Sequence, residues 1–127
     1  MSEKSVSQKL LIKPGYSFLL INPPRGYREL LADLPENVSI VEQTSAPVDV
    51  IQFFASTQQE LDEQLSRVKA LLKPKSLLWV TYPKGTSKIP SEINRDSIVE
   101  TARGVGYEGV AMVAVDKDWS ALRLKVS

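Results

Sequence analysis

The sequence predicts an α/β fold in which one mostly parallel sheet of about six strands carries helices on both faces. The main indication is the segment 48–85, where an apolar run, VDVIQFFAS, is followed by a periodic polar stretch and then by a second apolar run, SLLWVTYPKG. Strand, helix and strand in this order form a right-handed parallel βαβ unit. A further run at 16–21, YSFLLI, is continuous enough for a central strand that is buried on both faces.

The helix of the βαβ unit has chemical signals at both ends. Thr57 and Glu60 have the spacing of a capping box, in which two side chains satisfy free backbone N–H groups of the first turn. The apolar residues that recur on one face of this helix are Leu61, Leu65, Val68 and Leu72. Pro74 follows the last turn, where a helix cannot continue, and is predicted to mark the helix end.

The segment before the βαβ unit is predicted to form a strand, a helix and a second strand. The first strand ends at 22–26, NPPRG, because its two prolines cannot donate hydrogen bonds to a neighbouring strand. A helix is predicted between this turn and Pro35 from four apolar residues at helical spacing, which are Tyr27, Leu30, Leu31 and Leu34. The next apolar run, Val38–Val41, is short enough to lie at a sheet edge.

A loop and a third helix follow the βαβ unit. Residues 86–93 are polar and mixed, as in a mobile loop. Asn94 is a suitable N-cap for a helix whose inner face carries Ile98, Ala102 and Val105. Gly104 and Gly106 are predicted to end it. With Gly109 they spell G-x-G-x-x-G, but they close a helix and precede a strand, which indicates a turn and not a dinucleotide site.

The C-terminal segment is predicted to form an antiparallel hairpin. Val110–Val115 is an apolar run, which predicts a buried strand, and Ala121–Val126 alternates between apolar and other residues, which predicts a last strand exposed on one face. Residues 116–120, DKDWS, form the turn between them. Numbered along the chain, the six strands are expected in an order near 2-1-3-4-6-5.

Composition limits the classes of function. The 127 residues are predicted to form one domain, 1–127, whose first eight residues are flexible. Sixteen basic and fifteen acidic residues give a net charge of +1, so neither nucleic acid nor an anionic membrane is an expected partner. No apolar run is long enough to span a membrane, and the N-terminus does not resemble a secretory signal. A cytoplasmic protein is therefore expected.

The chain contains neither cysteine nor histidine. This composition excludes disulfides, thiolate nucleophiles and thiolate metal sites. It also excludes Ser-His-Asp and Cys-His arrangements and the usual general base near neutral pH. Asp116 and Asp118 lack a third carboxylate nearby in the sequence, so no metal site is predicted. No catalytic residue and no cofactor are predicted either, although a lysine, tyrosine or serine could still react.

The carboxyl ends of the parallel strands are the predicted position of any ligand site. The loops that meet there carry the candidate ligand-binding residues Asn22, Arg25, Tyr82, Lys84 and Arg95. Their side chains suit an anionic or nucleotide-like small molecule. The alternative is that these are solvated loop charges. Among the other notable residues, Trp79 is predicted to be a core residue, whereas Trp119 and Arg123 fit either a contact within the fold or an interaction surface.

The succession of elements, with LLKPKSLLWV after the second helix, resembles the class I S-adenosylmethionine methyltransferases. The resemblance implies a three-layer, Rossmann-like sandwich. That family places a glycine-rich turn after the first strand, where this chain has INPPRG, and an acid after the second, where only Glu42 stands. More closely, KPG, LWVTYPKG and VDKDWSALRL resemble a small bacterial family catalogued as a domain of unknown function, and this resemblance implies no activity.

Three hypotheses for function follow. The first is a non-catalytic, methyltransferase-like module that binds another protein or a second copy of itself. The second is a site for an anionic or nucleotide-like small molecule at the strand ends. The third is a divergent methyltransferase, which predicts binding of S-adenosylmethionine.

Overall fold

The computed structural model describes residues 5–127. The strands are β1 (Ser17–Ile21), β2 (Ser39–Val41), β3 (Val48–Phe54), β4 (Leu72–Pro83), β5 (Tyr107–Ala114) and β6 (Trp119–Val126). The helices are α1 (Val6–Lys9), α2 (Gln58–Val68) and α3 (Arg95–Gly104), and 3₁₀ turns cover Tyr27–Leu31 and Lys69–Leu71. The flexible segment predicted for residues 1–8 lies partly outside the described residues, and α1 begins directly after its N-cap, Ser5.

The six strands form one sheet in the order β2-β1-β3-β4-β6-β5, as predicted. Strands β2, β1, β3 and β4 pair in parallel, and β6 is antiparallel to both β4 and β5. The chain runs from β1 outwards to β2 and then returns to the other side of β1 as β3. The topological switch point, where such sheets bind their ligands, therefore lies between β1 and β3.

Helices cover the two faces of the sheet unequally. On one face the buried side chains of α2 and α3 pack on the sheet, and these include Leu61, Leu65, Val68, Ile98 and Ala102. On the other face the cover is the N-terminal segment and the first 3₁₀ turn, with Leu10, Ile12 and Tyr27 against Phe18 and Trp79. The prediction that Trp79 is a core residue is confirmed, since 1% of it is exposed.

The predicted N-caps are confirmed. Thr57 Oγ1 accepts a hydrogen bond from the backbone N–H of Glu60 (3.1 Å), and the Glu60 carboxylate accepts from the backbone N–H of Thr57 (3.2 Å). Asn94 Oδ1 accepts from the backbone N–H of Ser97 (2.9 Å) and caps α3. Both helices therefore begin where local side-chain chemistry satisfies their free amides.

Two predictions about helices are wrong. Between β1 and β2 the short 3₁₀ turn Tyr27–Leu31 forms in place of the predicted helix, and it buries Tyr27 and Leu31 but leaves Leu30 41% exposed. Helix α2 ends at Val68, and Leu72 already pairs with Val48 as the first residue of β4. Pro74 lies in an irregular part of β4, where the pairing steps from Val48 and Leu72 to Val50 and Leu77 and a proline is tolerated.

The predicted burial of the last two strands is also wrong. Most of β5 is exposed, whereas β6 is buried from Ser120 to Leu122 and again at Leu124. The physical reason is the position of β6, which returns from the hairpin into the space between β4 and β5 and leaves β5 at the edge. We use the name β5 edge for the unpaired side of strand Tyr107–Ala114.

Two carboxylates make the fold sensitive to acid. Hydrogen bonds from the Ser17 backbone N–H and from Lys73 lower the pKa of Asp49 below its ordinary value of 3.8, and bonds from Ser56 and Thr57 lower the pKa of Glu60 below 4.5. The folded state therefore holds these protons less tightly than the unfolded chain. Both groups stabilise the fold above those ordinary values, and this contribution is lost as the pH falls through the lowered pKa values.

We expect Asp49→Asn and Glu60→Gln each to weaken the pH dependence of stability below about pH 4.5. Urea unfolding at a series of pH values measures this dependence. Glu100→Gln, at an exposed position of α3, is the control. If the free energy of unfolding falls with pH as steeply in the two variants as in the native protein, the role given to Asp49 and Glu60 is contradicted.

Candidate functional site

Three of the five candidate residues line one cleft at the carboxyl end of β4. This strand-end cleft has a volume of about 440 Å³ and is lined by Tyr82, Lys84, Gly85, Thr86, Asn94, Arg95, Asp96, Met112 and Ser120. Asn22 and Arg25 do not line it, because they follow β1, and β3 lies between β1 and β4. Asn22 is exposed, and its backbone has a left-handed conformation (φ +54°). Arg25 is exposed in the same turn.

Backbone contacts position Lys84 at the rim of the cleft. Its N–H donates to the carbonyl of Asp118 (2.8 Å), and its own carbonyl accepts from the backbone N–H of Ser87 (2.9 Å). The loop 86–93 continues from there and is tied to the fold, since Ser87 Oγ donates to Asp118 Oδ1 (3.0 Å) and the N–H of Glu92 donates to Ser56 (2.7 Å). The cleft wall is therefore anchored at several points.

The other polar groups of the cleft come from β4 and α3. The Tyr82 hydroxyl lies 3.1 Å from the sulfur of Met112, and burial raises the pKa of this tyrosine, which keeps it protonated. Arg95 and Asp96 occupy the first turn of α3, and Arg95 Nε lies 3.3 Å from Asp96 Oδ1. The lining of the cleft contains two cations, Lys84 and Arg95, the neutral Tyr82 hydroxyl and one carboxylate, so the cleft can hold a small anion. Met112 and Ser120 also line the cleft but were not predicted from the sequence, because they reach it only through the packing of β5 and β6 beside β4.

Aromatic side chains pack together on one face of the sheet, near the carboxyl end of β3. Tyr27 is 3% exposed, and its ring meets that of Phe54, at the carboxyl end of β3, edge to face with centroids 4.7 Å apart. Phe54 in turn meets Trp119 with centroids 5.1 Å apart. Trp119 therefore makes a contact within the fold, which is one of the two alternatives left open by its position in the hairpin.

A buried hydrogen-bonded chain holds Tyr27 against β3 and β4. Its hydroxyl donates to Gln52 Oε1 (2.8 Å), and Gln52 Nε2 donates to Thr81 Oγ1 (2.9 Å). Gln52 and Thr81 are both 0% exposed, and burial raises the pKa of Tyr27. Each polar group thus has a partner in a place that water does not reach, which makes the arrangement costly to open.

The described residues contain neither a metal-ion cluster nor a membrane-spanning helix. Within residues 5–127, no three His, Cys, Asp or Glu side chains are grouped so that they could hold a metal ion. The same part of the chain contains no helix with the length and apolar character needed to cross a bilayer.

Comparison with known proteins identifies the fold. No family model matches the chain, and no curated protein matches it in sequence. Among solved structures, it is similar to an S-adenosylmethionine-dependent methyltransferase from Aquifex aeolicus (TM-score 0.68, 14% identity, 96% of this chain and 88% of that one). It is also similar to a TehB-like methyltransferase from Corynebacterium glutamicum (TM-score 0.63, 11% identity, 99% and 90%).

A third similar structure was solved with a ligand. The 1,6-didemethyltoxoflavin-N1-methyltransferase from Burkholderia thailandensis contains S-adenosylhomocysteine (TM-score 0.59, 14% identity, 96% of this chain and 76% of that one). The resemblance to a family of unknown function stays a prediction, since no family model matches.

The residues of this chain do not reproduce the features that the resemblance to methyltransferases implies for the cofactor. Two prolines stand where a glycine-rich turn would follow β1, and the buried Tyr27 comes directly after this turn. Glu42, the acid after β2, lies 3.5 Å from the Arg28 guanidinium in an exposed ion pair. The chain has the Rossmann-like α/β fold of S-adenosylmethionine-dependent methyltransferases.

Proposed function

We propose that this protein is a non-catalytic module that associates with a second copy of itself through the β5 edge. The observation that carries the proposal is the exposure of an apolar strand at the end of the sheet. Val110 and Met112 are 40% and 48% exposed, and Glu108 is the one charged residue among the eight of β5. Natural edge strands are usually protected by charges or coverage, since their free N–H and C=O groups attract another strand.

The sequence of β5 suits pairing with itself. An antiparallel pair centred on Ala111 would place Val110 opposite Met112 of the second copy, so that both exposed apolar side chains lose contact with water. Glu108 would lie opposite Ala114, which keeps the two carboxylates apart. Such pairing would join two six-stranded sheets into one and satisfy free backbone groups of both edges.

The buried contacts of Tyr27, which directly follows the turn after β1, support a role without catalysis. Room for a cofactor beside this turn would require Tyr27 to move, and that movement would break the buried Tyr27–Gln52–Thr81 chain. Methyl transfer by a fold of this class needs a bound cofactor in that region. Binding through an edge strand makes no such demand.

Sedimentation velocity over a range of protein concentrations tests the association. We expect the native protein to shift from monomer to dimer as concentration rises, and Met112→Lys and Val110→Lys each to weaken the association by about tenfold or more, because a cation would be buried beside an apolar neighbour. Leu30→Lys is the matched control, since Leu30 is 41% exposed on another part of the surface. A native protein that stays monomeric at every concentration, or equal weakening by all three variants, would contradict the proposal.

The strand-end cleft supports a second candidate function, the binding of a small anion. Tyr82, Lys84 and Arg95 were selected from the sequence and line one cleft in the structure. Thermal unfolding with phosphate, nucleotides and phosphorylated metabolites tests this function. A ligand at a hundredfold excess over its dissociation constant adds about 2.7 kcal/mol of apparent stability.

For this second function we expect Lys84→Ala to abolish the stabilisation. Lys88→Ala, which removes an exposed lysine of the same loop outside the cleft lining, should retain it. Stabilisation that persists in Lys84→Ala would place the anion elsewhere. The absence of stabilisation by any compound would leave self-association as the only supported function.

A further inference from the structure

A second cleft lies at the opposite end of the sheet from Tyr82 and Lys84. Its volume is about 670 Å³, and its walls are the start of β4 (72–77), the end of β6 (123–126), Lys69 and Val110. We call it the amino-end cleft, because the parallel strand β4 begins here. Since β6 is antiparallel to β4 and Leu124 is paired to Leu78, the last residues of β6 run towards the beginning of β4.

The charge of the amino-end cleft differs from that of the whole chain. Its lining contains five basic residues and no acidic one, although the chain as a whole carries a net charge of only +1. The basic residues are Lys69, Lys73, Lys75, Arg123 and Lys125. A concave site lined by positive charges raises the local concentration of anions.

Three of these five cations already have partners. Lys69 Nζ donates to the carbonyl of Val105 (2.9 Å), Lys73 Nζ lies 2.9 Å from Asp49 Oδ1, and Lys125 Nζ lies 3.9 Å from Glu108 Oε1. Within residues 5–127, neither Lys75 nor Arg123 takes part in an ion pair. Arg123 is also partly buried on β6.

The wall that carries Lys75 is held in place by hydrogen bonds. The backbone N–H of Lys73 donates to Ser76 Oγ (2.8 Å), and the Ser76 hydroxyl donates to the carbonyl of Val48. These bonds fasten the irregular stretch of β4 to β3. Apolar surface completes the lining, with Leu72, Pro74 and Leu77 on one side and Val110, Leu124 and Val126 on the other.

We propose that the amino-end cleft binds an amphiphilic anion, whose apolar body lies on the apolar wall and whose carboxylate or phosphate head pairs with Lys75 and Arg123. The volume falls within the range of about 300–1,000 Å³ that is usual for small-molecule sites. Apolar lining with a few convergent polar groups is the composition of such sites. A nucleic acid is the poorer fit, because its backbone needs an extended basic surface and this charge is confined to one cleft.

The test compares four compounds by titration into ¹⁵N-labelled protein, with amide chemical shifts as the readout. Octanoate and octyl phosphate carry both the apolar chain and the anionic head, octanol has only the chain, and inorganic phosphate has only the charge. We expect the two amphiphiles to shift amides of 72–77 and 123–126 saturably. Octanol and inorganic phosphate should each bind at least about tenfold more weakly, because each lacks one of the two contacts.

A double variant, Lys75→Gln with Arg123→Gln, is expected to raise the dissociation constant of both amphiphiles by about tenfold or more, because two charge-assisted contacts are lost. Lys13→Gln with Lys117→Gln removes the same amount of charge from exposed positions outside the cleft and should leave binding unchanged. Binding of either amphiphile with this pattern supports the site. Equal weakening by the two double variants, shifts confined to other residues, or no saturable shift would overturn it.

Discussion

Replacement of Tyr27 by alanine is expected to lower the free energy of unfolding by about 3–5 kcal/mol. The change removes a ring that is 3% exposed and contacts Phe54, and it leaves a cavity beside β3. It also deprives the buried Gln52 side chain of its hydrogen-bond donor. Urea denaturation followed by circular dichroism measures the loss.

Two further variants separate the causes of this loss. Tyr27→Phe keeps the ring and removes the hydroxyl, so only the cost of an unsatisfied Gln52 oxygen remains, about 1–3 kcal/mol. Tyr16→Ala is the control, because Tyr16 is only partly buried and packs at the edge of the same core. A loss in Tyr27→Ala no larger than that in Tyr16→Ala would contradict the stabilising role of the buried Tyr27 contacts.

Replacement of Trp79 by alanine is the second change with a large expected effect, again about 3–5 kcal/mol of unfolding free energy. Trp79 is 1% exposed in the middle of β4, and its indole N–H donates to the carbonyl of Leu10 (3.1 Å). This bond joins the segment after α1 to the sheet. We therefore expect the variant to lose protection of the amides of residues 6–12 as well, which hydrogen exchange measures.

The other tryptophan provides the control for Trp79. Trp119 is partly buried at the start of β6 and contacts Phe54, so Trp119→Ala should cost less and leave exchange at residues 6–12 unchanged. Faster exchange at residues 6–12 in both variants would contradict a specific role of the Trp79 bond to Leu10.

Helix starts and the pairing of consecutive strands could be predicted because their signals are local. The caps at Thr57 and Asn94 follow from side chains within three residues of the amides they satisfy. The crossover between β3 and β4 and the short hairpin turn at the C-terminus indicate that each of these two pairs of strands lies side by side. The burial of β5 was predicted wrongly because an apolar run is typical of a buried strand, whereas β5 lies at the edge of the sheet with most of its residues exposed.

The residues of the strand-end cleft could be predicted only in part from the sequence. The carboxyl ends of all parallel strands share one edge, but neighbouring strands are about 5 Å apart, so β1 and β4 are separated by about 10 Å across β3. Tyr82 and Lys84 are close in sequence, and α3 brings Arg95 to them, whereas Asn22 and Arg25 belong to another part of the rim. The contact of Tyr27 with Gln52 joins residues 25 positions apart, and periodicity within one segment gives no sign of it.

Our proposal that this chain has a methyltransferase-like fold but acts without the methyl-donating cofactor is tested most directly by titrating S-adenosylmethionine and S-adenosylhomocysteine into ¹⁵N-labelled protein. We expect no saturable change in the amide shifts of residues 21–28, 42 or 54–57, because two prolines and the buried Tyr27 stand where a glycine-rich turn would approach the cofactor. Saturable shifts at these amides in the native protein would contradict the proposal and favour a divergent methyltransferase.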